Sequence, residues 1–283
     1  MYIQLALYSL ILFFTIMLSG KFSRLIITNH TRMQFVMSFV SGLMLGVSIF
    51  HLIPHAYYLI SDNHAPEIIS RWMMLGLLFM FMLQRLFNFH NHDIDEFSKT
   101  ECSHSSNSYT SRAWIGILVG LIIHSIIDGI ALVATMKADI LIFGLSDLTG
   151  VILGLGVFLA ILFHKPLDAL TITTLTAKNE FSEKKQFILL LLYALICPVA
   201  AWLAIFGFDL FLADNSNFVG SALAFSAGIF LCISLSDLLP EIHFHSHDKL
   251  ILTIALLLGV GLSLLLIEVE PIHDHQDHSL SVD

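Results

Sequence analysis

Apolar residues run through this chain in long blocks, with the polar positions gathered between them. The blocks fall at roughly 3–20, 33–60, 70–88, 113–136, 148–177, 186–208, 218–241 and 249–268. A bilayer core of about 30 Å takes about 20 helical residues to cross, and a backbone in lipid must satisfy its own hydrogen bonds. The pattern therefore predicts an all-α membrane protein with eight transmembrane helices. The first block lacks a basic leader and an A-x-A cleavage site, so it is expected to be a retained helix rather than a signal peptide.

Charge gives these helices a direction. Lys21, Arg24 and Arg32, then Arg85, Lys99 and Arg112, then Lys178, Lys184 and Lys185, then Lys249 fall in alternate loops, whereas the other loops offer little beyond Arg71 and Lys137. By the positive-inside rule, both termini are extracytoplasmic. Composition agrees with a membrane home: of 283 residues 57% are hydrophobic and 12% charged, and the mean hydropathy of +0.84 lies beyond that of soluble domains. The net charge of -9 sits largely in loops and tail, where solvation explains it, and it points to no nucleic-acid partner. Cys197 and Cys232 fall in predicted spans and Cys102 in a predicted cytoplasmic loop, so free thiols are expected.

No composition shift divides the chain, so residues 1–283 read as a single membrane domain. Residues 89–112 are rich in Ser, His and acid and predict a flexible cytoplasmic loop; residues 269–283 form a His/Asp-rich extracytoplasmic tail. Further His-Asp tracts, HNHD at 90–93, HFHSHD at 243–248 and HDHQDH at 273–278, suit weak divalent-ion capture or plain solubility.

The chemistry lies inside the blocks. Span four reads LIIHSIIDGIALVA, placing His124 and Asp128 four residues apart on one helix face, and span five repeats the spacing in LFHKPLDAL with His164 and Asp168. An ionised Asp at the bilayer centre costs at least about 2.5–3.5 kcal/mol, so such residues face a bundle interior and are paired or functional. Imidazole and carboxylate from two facing helices make a mixed ligand set suited to Zn²⁺ or a similar first-row ion. Lys165 lies within the same turn, and an internal salt bridge from it to Asp128 or Asp168, without metal, is the rival reading. Pro166 removes a backbone donor, which either frees the Leu162 carbonyl for a cation or water or simply kinks the helix for packing.

HLIPHA at 51–56 and DLLPEI at 237–242 echo each other at opposite faces. Proline-interrupted segments at matching places in two halves point to the pathway of a secondary transporter. On that reading His51 and His55 stand at the outer mouth and Asp237 and Glu241 at the inner one; the alternative is that His55 and Glu241 merely sit at the polar interface.

These residues also carry a likeness. HSIIDG is similar to the H-[NS]-x-x-E-G motif in the fourth span of the ZIP (Zrt/Irt-like) family of divalent-metal transporters, and HKPLDAL resembles the H-x-x-x-E region of its fifth span. The eight blocks, the outward termini, the His-bearing loop after span three and FSAGIFLCISLSDLLPEI in span seven match as well. The resemblance implies a 3+2+3 arrangement of spans, a homodimer, and alternating access in which the helices bearing the site move against the rest. It makes His124, Asp128, His164 and Asp168 the transport-site ligands, with Ser125 beside them. Asp128 stands where the family usually has Glu. Two-metal members carry a carboxylate where this chain has Lys165 and a further ligand in span six, where it offers only Cys197-Pro198; a subgroup with HS in span four and HK in span five has lysine instead. Lys165 then occupies or neutralises the second cation's place, and the site is mononuclear.

The expected function is a secondary transporter, sited in the plasma or cytoplasmic membrane and surrounded by lipid, that moves Zn²⁺ towards the cytoplasm; Fe²⁺, Mn²⁺ and Cd²⁺ also suit the ligands. No G-x4-GK[ST] motif is present, so a gradient does the work, and no cofactor is implied. An enzyme is not expected, because HExxH with a distant Asp and clustered HxxHH boxes are both missing from the sequence. The alternative is a metal-sensing or proton-conducting membrane protein that uses the same His/Asp pairs.

Overall fold

A computed structural model of the protein describes residues 1–26, 30–88, 113–144, 152–211, 216–244 and 249–269. Among the described residues, eight helical spans are long and apolar enough to cross a membrane. Span one is Tyr2–Ile26; span two is a run of three segments, His30–Val47, Ser48–Leu52 and Ile53–Leu59; spans three to eight are Ala65–Asn88, Ala113–Phe143, Leu155–Lys178, Glu183–Phe211, Ser216–Phe244 and Lys249–Val269. The chain is a multi-pass integral membrane protein. Its outward surface is apolar, with Leu7, Leu10 and Phe14 of span one, Leu75 and Phe79 of span three, and Leu257 and Leu258 of span eight all exposed. Polar side chains deep in the spans, among them Ser48, His51, His124, Asp128, Thr135 and Lys165, are turned inward, as a lipid solvent requires.

Two boundaries differ from the apolar pattern. Span three begins at Ala65 rather than near 70, because Pro66 and Glu67 supply a first helical turn that a hydrophobicity count passes over. Span five begins at Leu155 rather than near 148, because Gly154 takes a left-handed conformation with φ of 65° and starts the helix only beyond it. Pro166 sits inside span five without interrupting the helix.

Proline leaves a clearer mark on span two. Pro54 has no N–H with which to continue the α-helical ladder, and directly before it Ser48–Leu52 widens into a π-helical turn, closed where Ile53 N–H donates to the Ser48 carbonyl. His51 lies in this wide turn, buried, with its Nε2 2.8 Å from the carbonyl oxygen of Ser263 in span eight.

The spans pack as two sets: two with eight and three with seven, joined through two and seven, and then one, four, five and six. Small residues set the closest approaches. In the pair of spans three and seven, a methyl group at Gly76 would run into the Phe225 carbonyl and one at Gly228 into the Met73 carbonyl. Backbone cannot yield as a side-chain tip can, so each glycine is required by its neighbour. Gly228→Val is therefore expected to destabilise the fold by about 1–3 kcal/mol, the usual cost of overpacking. Thermal unfolding in detergent checks this, and an unchanged midpoint would show that spans three and seven do not need to touch this closely.

Candidate metal centre

Span four presents His124 and Asp128 and span five His164 and Asp168 to the same buried point. One donor atom from each of the four residues lies within 4.8 Å of all the others. A tetrahedral Zn²⁺ with bonds near 2.0–2.1 Å needs donors roughly 3.3 Å apart, so the four donors would have to draw closer around an ion to complete the shell. Asp128 is the hub: its Oδ2 lies 3.4 Å from His124 Nε2 and 3.2 Å from His164 Nε2, while His124 Nε2 is 4.0 Å from Asp168 Oδ2. Asp128 is fully buried and Asp168 partly buried.

The surroundings fix the donors. His164 Nδ1 is 2.8 Å from the Ala160 carbonyl oxygen, one turn earlier on its own helix, which only an Nδ1–H can satisfy. That tautomer turns the Nε2 lone pair towards Asp128, so the two groups face each other lone pair to lone pair unless a proton or metal cation lies between. Two further buried atoms, His124 Nδ1 and Asp128 Oδ1, have no hydrogen-bond partner among the described residues. Buried polar atoms are normally satisfied, and with its Nε2 turned to the cluster His124 offers that nitrogen's lone pair to a cation while Nδ1 carries the proton.

Lys165 is fully buried and reaches into the same cluster. Its Nζ lies 2.6 Å from Asp128 Oδ2 and 3.1 Å from Asp168 Oδ2, and donates to Ser125 Oγ at 3.2 Å. Tyr193 of span six completes the ring: its hydroxyl donates to Asp168 Oδ2 at 2.7 Å and lies 3.4 Å from Lys165 Nζ. Nothing in the local sequence singles out Tyr193, because one aromatic residue in LLLLYALI is the ordinary look of a core position. Its one signal was its place on the span that holds Cys197-Pro198. Cys197 is buried, but it does not belong to the four-donor cluster.

A cavity of about 310 Å³ reaches His124, His164 and Asp168. Gln84 of span three, Ile117 and Leu121 of span four, Thr171 of span five and Ile233 of span seven line it further on. It therefore lies on the side of the centre where span three ends at Asn88 and span four begins at Ala113. His51 and His55 are not brought to the centre. They lie buried towards the opposite face, where His55 Nε2 pairs with Asp139 Oδ1 at 3.0 Å, a partner the sequence did not single out. Asp237 and Glu241 fall on the last turns of span seven, and their side chains lie outside the described residues, as do residues 89–112, 245–248 and 270–283 with their histidine tracts and Cys102.

Known proteins bear on what the cluster does. Residues 90–267 match the family model described as ZIP Zinc transporter. The chain is 28% identical over 195 residues to the Zinc transporter ZIP9-A of Xenopus laevis, a match covering 66% of this chain and 58% of that protein. It is 22% identical over 256 residues to Zinc transporter 3 of Arabidopsis thaliana, covering 81% of this chain and 72% of that one. Zinc-regulated transporter 1 of Candida albicans is likewise 22% identical, over 75% of this chain and 46% of its own length. The chain thus spans a little over half the length of the frog relative.

Proposed function

Because the chain belongs to the ZIP zinc transporter family, we propose that it is a secondary transporter that carries a divalent metal ion, zinc foremost, into the cytoplasm through one metal position at His124, Asp128, His164 and Asp168. The observation that carries this reading is the convergence of two imidazoles and two carboxylates at a buried point midway along two spans, with a cavity leading from it to one face. Carboxylates are expensive inside a membrane unless they are used.

Charge orients the chain in the membrane. The cavity lies on the side of Arg85, Lys178, Lys184 and Lys185, the basic face that the positive-inside rule assigns to the cytoplasm. The geometry is then that of a carrier open inward. A hydrated ion arriving from outside exchanges water for the four side chains, the set of spans that bears them moves against the other, and the ion leaves past Gln84 and Thr171. The two packed sets of spans are suited to such a movement, since the glycine-tight contacts of spans three and seven join helices of the same set. Lys165 and Tyr193 hold the two carboxylates in place between cargoes, and the ammonium stands where a second cation would otherwise be needed. Assembly as a homodimer in the plasma or cytoplasmic membrane belongs to the same proposal.

Isotopic Zn²⁺ uptake into proteoliposomes containing the purified chain tests this directly. Saturable uptake down an imposed zinc gradient is the expected result. Failure to accumulate zinc, iron, manganese or cadmium, together with a metal-independent proton current, would replace transport by proton conduction through the same pairs.

A further inference from the structure

On the face away from the cavity, buried polar groups from three spans meet. Asp139 lies eleven residues beyond Asp128 on span four, about 16 Å along the helix axis at 1.5 Å per residue. One of its oxygens, Oδ1, lies 3.0 Å from His55 Nε2 of span two, and the other, Oδ2, accepts the Gly154 backbone N–H at 2.6 Å, at the start of span five. That end of span five carries the positive pole of a 24-residue helix, which favours a carboxylate. His55 in turn is 2.6 Å from the His51 carbonyl oxygen through Nδ1. Beside them Tyr8 of span one donates to the Leu153 carbonyl at 2.9 Å and stacks its ring on Phe158. His51, His55, Asp139 and Leu153 are all buried.

Asp139 thus bridges the two packed sets of spans: it is carried by span four, binds the beginning of span five, and grips span two across the divide. Nothing in the metal centre uses it. Resting on the transport reading above, we propose that the His55–Asp139 pair is the bolt of an outer gate, closed while the cavity is open on the other side and broken each time the carrier opens outward. A buried imidazole–carboxylate contact is a discrete contact that is either made or lost, as a two-state gate requires.

A gate shifts KM in a direction that neither an entrance ligand nor a packing contact would. If the pair holds the carrier in its inward-open form, breaking it raises the fraction able to meet outside metal, and apparent affinity scales with that fraction. Asp139→Ala and His55→Phe are each expected to lower the KM for external zinc by about tenfold, the ratio that corresponds to 1.4 kcal/mol, with a reduced maximal rate. A KM that rises in both variants would instead make the pair an entrance ligand, and a KM that stays unchanged while rate falls would make it packing; either overturns the gate. A second measurement, independent of how either variant folds, uses cysteines at positions 55 and 139 joined by a short, reductant-cleavable bifunctional thiol reagent. Uptake is expected to stop on cross-linking and return on reduction, with the wild-type chain unaffected by the reagent. A cross-linked carrier that transports at the reduced rate would overturn the gate, whereas absence of uptake by the wild-type chain would overturn the transport reading itself.

Discussion

Asp128→Ala is expected to abolish zinc uptake, with a loss of at least about 100-fold in kcat/KM. Groups that only orient a metal ligand already cost about 10–100-fold when removed, and Asp128 does more: its Oδ2 meets His124, His164 and Lys165 at 3.4, 3.2 and 2.6 Å. The same substitution leaves Lys165, fully buried, with one carboxylate fewer. Breaking a buried ion pair from one side typically costs about 3–5 kcal/mol, so stability must be measured alongside uptake. Asp128→Glu separates the two effects. It keeps the charge with a longer arm and matches the residue the family usually carries here, so uptake should persist with a changed preference among zinc, iron, manganese and cadmium. Isotopic uptake and equilibrium zinc binding on both variants decide the matter; an alanine variant that folds and still transports at the wild-type rate removes Asp128 from the path of the metal.

Much of this centre could be read from the chain because helix geometry is local. Two His-x3-Asp pairs in apolar blocks must each present both side chains on one face, and the cost of charge in lipid makes the two faces seek each other. The number of spans was legible for the same reason: the bilayer sets the length of each apolar block. What stayed hidden depends on contacts between distant spans. Tyr193 looks like any core aromatic until its hydroxyl is found 2.7 Å from Asp168. Asp139, near the end of its span, has no local signal of its own until His55 and Gly154 close on it. The π-helical turn at Ser48–Leu52 is a compromise between Pro54 and packing against span eight, and only the first of these is written in the local sequence. The late start of span five turns on one left-handed glycine inside an otherwise apolar run.

Lys165→Met is expected to act in the opposite direction to Asp128→Ala, giving tighter zinc binding with slower release. The ammonium holds the same oxygens that a metal would use, Oδ2 of Asp128 and Oδ2 of Asp168. Incoming zinc must displace it, so the lysine is a tethered competitor as well as a counter-charge. Methionine nearly keeps the volume and removes the charge, which takes the formal charge of the two aspartates and one lysine from -1 to -2. The empty centre then holds two neighbouring carboxylates without their cation, a costly state in a low-dielectric interior, and metal relieves it. Two consequences follow with the same sign. The metal-free variant should unfold at a lower temperature than the wild type, and saturating zinc should raise its midpoint by more than it raises the wild-type midpoint. Zinc affinity in detergent should increase by about tenfold or more, a modest share of the 1.5–3 kcal/mol ascribed to one hydrogen bond with a charged group when two are removed, while the maximal rate of uptake falls because the ion leaves more slowly. Lys165→Arg, which keeps the charge, should stay close to wild type in affinity. If zinc instead binds Lys165→Met more weakly than wild type, the lysine serves to position Asp128 and Asp168 for the metal, and its role as a stand-in for a second cation has to be given up.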